Sequence, residues 1–205
     1  MKADSSPAAN PQIGAIVLAA GRSTRMGAAK MTLSWGDTTV IGQVVRVLLD
    51  SGVPEILVVT GGAQSEVQRA LQGLPVREVY NPDYQQGEML STFKLGLSNL
   101  GEDLDAVLVV LGDQPQIERK VVLSLMKVYS DTLSGLVVPS YHMRRGHPWL
   151  MDRSLWPAAL ALQEPATLRD FLAENQSSIQ YVNVDTPTIL QDLDTPGDYR
   201  KYQPE

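Results

Sequence analysis

Three short runs of almost uninterrupted apolar residues occur along the chain, and glycine follows each of them. They are residues 13–20 (IGAIVLAA), 55–60 (EILVVT) and 105–111 (DAVLVVL). Apolar runs of this length without polar alternation are typical of strands covered on both faces, as in a parallel sheet. Two further strands are predicted at residues 136–140 and 179–184.

Segments with helical spacing of apolar residues lie between and after these runs. Helices are predicted over residues 40–49, 66–74, 90–100, 121–133, 156–162 and 168–175, and a last helix with Pro196 near its start. Strands that alternate with helices favour βαβ units with right-handed crossovers. The predicted fold class is therefore α/β, a three-layer, Rossmann-like, doubly wound and mostly parallel sheet.

The same patterns predict the domain organisation. Residues 1–12 are polar and aperiodic, which predicts a disordered arm, and residues 13–205 are expected to form one domain. No apolar run approaches the roughly 20 residues of a membrane span, and no signal-peptide pattern is present, so we expect a cytoplasmic protein without membrane contact. Residues 141–156 (YHMRRGHPWLMDRSLW) are expected to form a substrate-facing insertion rather than a core element.

Composition and charge exclude several classes of function. The 205 residues contain no Cys, which excludes disulfides, Cys-ligated zinc and a thiol nucleophile. The formal net charge of −6 argues against a nucleic-acid partner, since such binding depends on Lys and Arg at phosphates.

Residues 18–30 (LAAGRSTRMGAAK) combine two glycines with cationic side chains directly after the first predicted strand. Glycines allow the backbone to approach an anion closely, and Arg22, Arg25 and Lys30 add positive charge. The spacing matches neither a Walker A loop nor a G-x-G-x-x-G fingerprint. The segment indicates polyphosphate binding, and the alternative is a basic surface loop with turn glycines.

Two acidic sites complete the candidate chemistry. Asp113 follows a buried strand in LGDQP, and Asp192 and Asp194 occur in DLDTP. Carboxylates at this sheet edge are typical ligands of Mg²⁺, which proteins hold through one or two carboxylates and substrate phosphates. The alternative is that these aspartates cap the helices that follow.

The string LAAGRSTRMGAAK closely resembles the signature of nucleotidyltransferases with the molybdenum cofactor guanylyl/cytidylyltransferase fold. The resemblance continues through NPDYQQGEMLSTFKLGL, LGDQPQI, RRGHPWL and DLDTPGDY, in that order. It covers the chain from about residue 13 to residue 202.

The resemblance implies that a phosphate of an acceptor attacks the α-phosphorus of an NTP and that pyrophosphate leaves. It implies catalytic roles for Arg25, Lys30 and Asp113, and a Mg²⁺ site on Asp113 and Asp194, with Asp192 in support. The implied nucleotide-binding residues are Leu18, Ala19, Ala20, Gly21, Arg22, Gly27, Gly62, Asn81, Gly87 and Ser91. The implied acceptor-binding residues are Arg145, Gly146, His147 and Arg169.

For several of these residues a structural role is the alternative. Gly61-Gly62 is also a common turn signal, Ser91 is also a helix cap, and His147 before Pro148 is also a structural histidine.

The substrates follow from finer features of the resemblance. Ala20 in LAAG favours CTP over GTP, because guanylyl members of the family typically have LAGG. The implied acceptor is molybdopterin or a molybdenum-bound form of it, with a molybdoenzyme as a partner. Residues 164–169 (EPATLR) lack the glycines of the corresponding run in cytidylyl members. The alternatives are a nucleotidyltransferase acting on a sugar phosphate or methylerythritol phosphate, and a non-catalytic nucleotide- or cofactor-binding chaperone.

Overall fold

The apolar runs form the strands that the sequence pattern predicts. The computed structural model describes residues 10–21, 30–85 and 89–204. In chain order its strands are β1 (Ile13–Ala19), β2 (Ser34–Trp35), β3 (Thr38–Thr39), β4 (Ile56–Thr60), β5 (Arg77–Tyr80), β6 (Ala106–Leu111), β7 (Leu136–Tyr141), β8 (Arg144–Arg145), β9 (Trp149–Asp152) and β10 (Ile179–Asn183). Its α-helices are α1 (Val40–Asp50), α2 (Gln64–Ala70), α3 (Met89–Ser98), α4 (Arg119–Thr132), α5 (Trp156–Ala161), α6 (Leu168–Glu174) and α7 (Pro196–Tyr202).

One eight-stranded sheet carries the fold, in the spatial order β10-β7-β9-β6-β1-β4-β5, with β8 paired to β7. Neighbours β4, β1 and β6 are parallel, as are β4 with β5 and β10 with β7, whereas β9 is antiparallel to both β6 and β7. Helices pack on both faces, so the prediction of a doubly wound, mostly parallel α/β sheet is confirmed.

The sheet separates two hydrophobic clusters because successive strand residues point to opposite faces. In β1, Ala15 and Val17 pack with residues of α1, α2 and α4, whereas Ile16 and Leu18 pack with α3, α5 and α6. The central strands β1, β4 and β6 are buried along their whole length. This double coverage explains why these strands have no polar alternation.

The expectation that residues 141–156 form an insertion outside the core is wrong for their second half. Trp149, Leu150 and Met151 are buried in β9, between β6 and β7 in the middle of the sheet. Their side chains fill both clusters, whereas residues 142–145 before them and residues 153–154 after them are exposed.

The C-terminal helix α7 returns to the N-terminal half of the chain. Tyr199 packs with Trp35 and Leu193, and its hydroxyl donates to the backbone oxygen of Ser34. In the described part of the chain, no helix has the length and apolar character needed to span a membrane.

Candidate active site

The carboxyl ends of β1, β4 and β6 meet at one edge of the sheet. Leu18 is in register with Leu111, and Ala19 with Thr60. The amide of Gly112 then donates to the oxygen of Leu18 over 3.0 Å. The chain therefore brings Gly21, the Gly61-Gly62 pair and Asp113 to the edge where ligands bind in open α/β sheets.

Lys30 is the centre of a charged cluster at this edge. It begins a single 3₁₀ turn, and its side chain is only 11% exposed. The Nζ atom lies 2.6 Å from Oδ2 of Asp113 and 3.4 Å from Oδ1 of Asp194. The structure thus brings together three residues that the sequence analysis placed in one site, from segments more than 80 positions apart.

Leu193 explains how the DLDTP segment reaches this cluster. Its side chain is fully buried beside Trp35 and Val40, and its amide donates to the backbone oxygen of Asp113 over 3.2 Å. Because Leu193 is fixed in the core, its two neighbours Asp192 and Asp194 are held on either side of the Asp113 backbone.

Gln114 holds Asp192 in place, a contact that sequence reasoning missed. The Gln114 side chain is buried and donates from Nε2 to Oδ1 of Asp192 over 2.5 Å. Burial raises the pKa of the Asp192 carboxyl, the charges of Asp113 and Asp194 raise it further, and the hydrogen bond from Gln114 acts in the opposite direction. Three carboxylates and one ammonium therefore share a small, partly buried volume.

The alternative interpretation of these aspartates as helix caps does not hold. Helix α4 begins at Arg119, six residues after Asp113, and Glu118 is at its N-cap. Helix α7 is capped by Thr195, which forms a capping box with Asp198. Neither Asp113 nor Asp192 nor Asp194 caps a helix, so their carboxylates are available for other chemistry.

The donor set fits a hard divalent cation. Asp113 and Asp194 already converge on one positive charge, the Lys30 ammonium, and Asp192 adds a third carboxylate beside them. Among the described residues, no three His, Asp or Glu side chains form a complete metal-binding group. Proteins usually hold Mg²⁺ through one or two carboxylates together with substrate phosphates, and Asp113 and Asp194 are such a pair.

The predicted nucleotide-binding segment offers its backbone rather than its side chains. Leu18, Ala19 and Ala20 are at most 7% exposed. Gly21 is exposed, and a Cβ placed on it would have no atom of the described residues within 4 Å. A ligand at this end of β1 would therefore meet peptide groups of residues 18–21.

Asn81 has a structural role that accounts for its burial. Its Nδ2 donates to Ser91 Oγ over 3.2 Å and to Thr92 Oγ1 over 3.1 Å, while its Oδ1 accepts from the amide of Asp83. Both amide hydrogens are thus used in linking the end of β5 to α3. Ser91 lies inside α3, which begins at Met89, so it is not the cap of that helix.

Gly146 and His147 lie beside the acidic segment. The amide of Gly146 donates to the oxygen of Pro139, and the amide of His147 donates to the oxygen of Ile189, three residues before Asp192. Burial lowers the pKa of His147 to about 4, so this imidazole is neutral near pH 7.

The two predicted acceptor arginines are both exposed. Arg145 is exposed on β8, with its guanidinium carbon 5.4 Å from the ring centroid of Tyr181. Arg169 is exposed on α6. Among the described residues, no hydrogen bond or ion pair links either arginine to Lys30, Asp113 or Asp194. The predicted residues Arg22, Arg25, Gly27 and Gly87 lie outside the described residues.

The lowered pKa of His147 makes the stability of the fold depend on pH. The unfolded chain takes up a proton at this side chain near pH 6.5, whereas the folded chain does so only near pH 4. The contribution of His147 to the free energy of unfolding should therefore be fully present above pH 6.5. It should fall as the pH drops toward 4, by up to about 3 kcal/mol. Denaturant unfolding between pH 4 and 7.5 should show that the free energy of unfolding of His147→Gln depends less steeply on pH than that of the wild-type protein. The exposed His142→Asn serves as the control, and a slope of the wild-type size in His147→Gln would contradict the assignment.

Comparison with known proteins adds a family match to this geometry. The family described as "MobA-like NTP transferase domain" matches residues 15–179. The chain is 27% identical over 188 residues to the molybdenum cofactor cytidylyltransferase of Escherichia coli K12, covering 91% of this chain and 93% of that protein. It is 28% identical over 198 residues to the nicotine blue oxidoreductase of Paenarthrobacter nicotinovorans, covering 90% and 93%.

Two solved structures of a relative have the same fold as this chain. The crystal structure of Rv0371c from Mycobacterium tuberculosis H37Rv superposes with a TM-score of 0.83 at 26% identity, over 94% of this chain and 97% of that one. The structure of Rv0371c in complex with manganese superposes with a TM-score of 0.78 at 26% identity, over 93% and 97%. A relative with this fold therefore binds manganese.

Proposed function

Because the chain belongs to the family of MobA-like NTP transferase domains and is a nucleotidyltransferase, we propose that it transfers CMP from CTP to a phosphorylated, molybdopterin-type acceptor and releases pyrophosphate. The observation that carries this proposal is the placement of Lys30 between Asp113 and Asp194, next to Gly21 at the carboxyl edge of the sheet. Ala20 and the likeness to the cytidylyltransferase of E. coli support CTP as the donor. Residues 13–205 act as one domain.

Each residue of the charged cluster has a role in this reaction. Asp113 and Asp194 would hold a Mg²⁺ ion, with Asp192 in support. The ion supplies charge neutralisation at the nucleotide phosphates. Lys30 adds a fixed positive charge that favours departure of pyrophosphate, and Leu193 and Gln114 keep the carboxylates in place.

The reaction needs no general base from the protein. A phosphate monoester has a second pKa of about 6, so the acceptor is already anionic near neutral pH. This agrees with a neutral His147, which can donate one hydrogen bond but does not carry a charge. Arg145 and Arg169 are the cations that would bind the acceptor, and both are exposed.

A pyrophosphate-release assay tests the proposal. The protein is incubated with each of the four NTPs, Mg²⁺ and molybdopterin, and in parallel with a sugar phosphate or methylerythritol phosphate as acceptor. Release with CTP and molybdopterin supports the proposal as stated. Release only with another acceptor would contradict the molybdopterin assignment, and nucleotide binding without release in any combination would favour a non-catalytic binding protein.

The donor preference has its own test at Ala20. Ala20 is 5% exposed at the end of β1, and Ala20→Gly should loosen the backbone there and admit GTP more readily. We expect the ratio of kcat/KM for CTP to that for GTP to fall by about tenfold, which corresponds to about 1.4 kcal/mol. Ala15→Gly is unsuitable as a control because it weakens the core, whereas Ala70→Gly, at the partly buried end of α2, is a matched one. An unchanged ratio in Ala20→Gly would remove Ala20 from the argument for CTP.

A further inference from the structure

Tyr84 lies at the same edge of the sheet, in a segment held firmly against β4. The amide of Asn81 donates to the oxygen of Thr60 over 2.9 Å, and the amide of Tyr84 donates to the oxygen of Asn81 over 3.4 Å. Asp83 is held by the Asn81 side chain. The position of the Tyr84 ring is therefore set by the end of β4.

The ring of Tyr84 contacts the predicted nucleotide-binding backbone through two glycines. A Cβ placed on Gly62 would lie 2.8 Å from Cε2 of Tyr84, and one placed on Gly61 would lie 2.9 Å from its Cβ and 2.5 Å from the oxygen of Ala20. Only glycine allows this approach. The end of β1, the end of β4 and the Tyr84 side chain thus form one continuous surface.

We propose that Tyr84 contacts the base of the bound nucleotide and positions it at the end of β1. This rests on the proposed function, in that it takes the ligand at Ala20 and Gly21 to be a nucleotide. The side chains of Ala19 and Ala20 are buried, so a base lying there meets backbone groups on one side. The Cε2, Cζ and hydroxyl end of the Tyr84 ring lies against Gly62, and an aromatic ring is a general stacking partner for a base.

The ring of Tyr84, rather than its hydroxyl, carries this role. The hydroxyl already accepts a hydrogen bond from Nε2 of Gln85 over 2.8 Å. Tyr80 provides a matched control, because its ring centroid lies 6.3 Å from that of Tyr84, and its side chain projects from the edge strand β5 with 41% exposure. Its removal takes away a neighbouring aromatic ring of the same kind, and no Tyr80 atom is among the three nearest to a Cβ placed on Gly61 or Gly62.

Calorimetric titration with CTP and Mg²⁺, without acceptor, tests the proposal. Tyr84→Ala should bind CTP at least about tenfold more weakly than the wild-type protein, since base–aromatic stacking contributes on this scale. Tyr84→Phe should stay within threefold and Tyr80→Ala within twofold. In the transfer assay, Tyr84→Ala should raise the KM for the NTP and leave the KM for the acceptor unchanged.

A second variant guards against simple loss of folding in Tyr84→Ala. Gly62→Ala places a methyl group against the Tyr84 ring, so it should weaken CTP binding in the wild-type background and much less in the Tyr84→Ala background. CTP affinity of Tyr84→Ala within twofold of wild type would overturn the proposal, as would equal losses in Tyr84→Ala and Tyr80→Ala. CTP binding that depends on Tyr84 without any pyrophosphate release would support this inference and contradict the proposed function.

Discussion

Asp113→Asn is expected to reduce the rate of pyrophosphate release by at least about 10³-fold at saturating NTP and Mg²⁺. The substitution keeps the shape of the side chain and removes the charge that faces the Lys30 ammonium at 2.6 Å. It also removes one of the two carboxylates that converge at this point, and a metal-bound phosphate receives several kcal/mol of charge stabilisation. Three orders of magnitude in rate correspond to about 4 kcal/mol.

The same variant should lose some stability, because Lys30 is 11% exposed and would lose the nearer of the two carboxylates that face its ammonium. Thermal unfolding measured beside the rate separates the two effects. Asp131→Asn is the control, since Asp131 forms an exposed ion pair with Lys127 and should tolerate the same change. A folded Asp113→Asn variant with more than a tenth of the wild-type rate would contradict the assigned role.

The strands could be predicted from sequence where both faces of the sheet are covered. β1, β4 and β6 are buried at every position, and their apolar runs are unmistakable. β9 was missed because its buried residues Trp149–Met151 follow the exposed Arg144–Arg145 in the chain, within a stretch rich in charge. Only its pairing with β6 and β7, distant in sequence, makes this short segment a central strand.

In the site, too, residues marked by the local sequence could be predicted, whereas residues defined by distant contacts could not. Asp113 was predictable because it follows a buried strand directly, and Asp194 because a family motif carries it. Gln114 was not, because its partner Asp192 lies 78 positions away. Tyr84 could not be predicted either, because its contact with Gly61 and Gly62 depends on the absence of a side chain at both glycines and joins segments that are apart in the sequence.

Gly146 connects this long-range geometry to both stability and activity. A Cβ at Gly146 would lie 2.2 Å from the backbone oxygen of Ile189 and 2.7 Å from its Cβ. That oxygen also accepts the hydrogen bond from the amide of His147. An added methyl group must therefore push the β8–β9 connection away from the segment that leads to Asp192 and Asp194, since a backbone oxygen cannot rotate aside.

Gly146→Ala is consequently expected to lower the free energy of unfolding by about 3 kcal/mol, the upper part of the range for overpacked sites. Because the displaced segment carries Asp194, the transfer rate of the protein that remains folded should fall by about 10²-fold, the effect of a displacement near 1 Å. Gly197→Ala is the matched control: its Cβ would lie 3.4 Å from Thr195 Oγ1, an ordinary contact, within helix α7. Ile189→Ala should not rescue Gly146→Ala, because the tightest contact is with the carbonyl oxygen that alanine retains. A Gly146→Ala protein with wild-type stability and rate would contradict this prediction. It would show that the β8–β9 connection and residues 187–193 can move apart without disturbing the carboxylates.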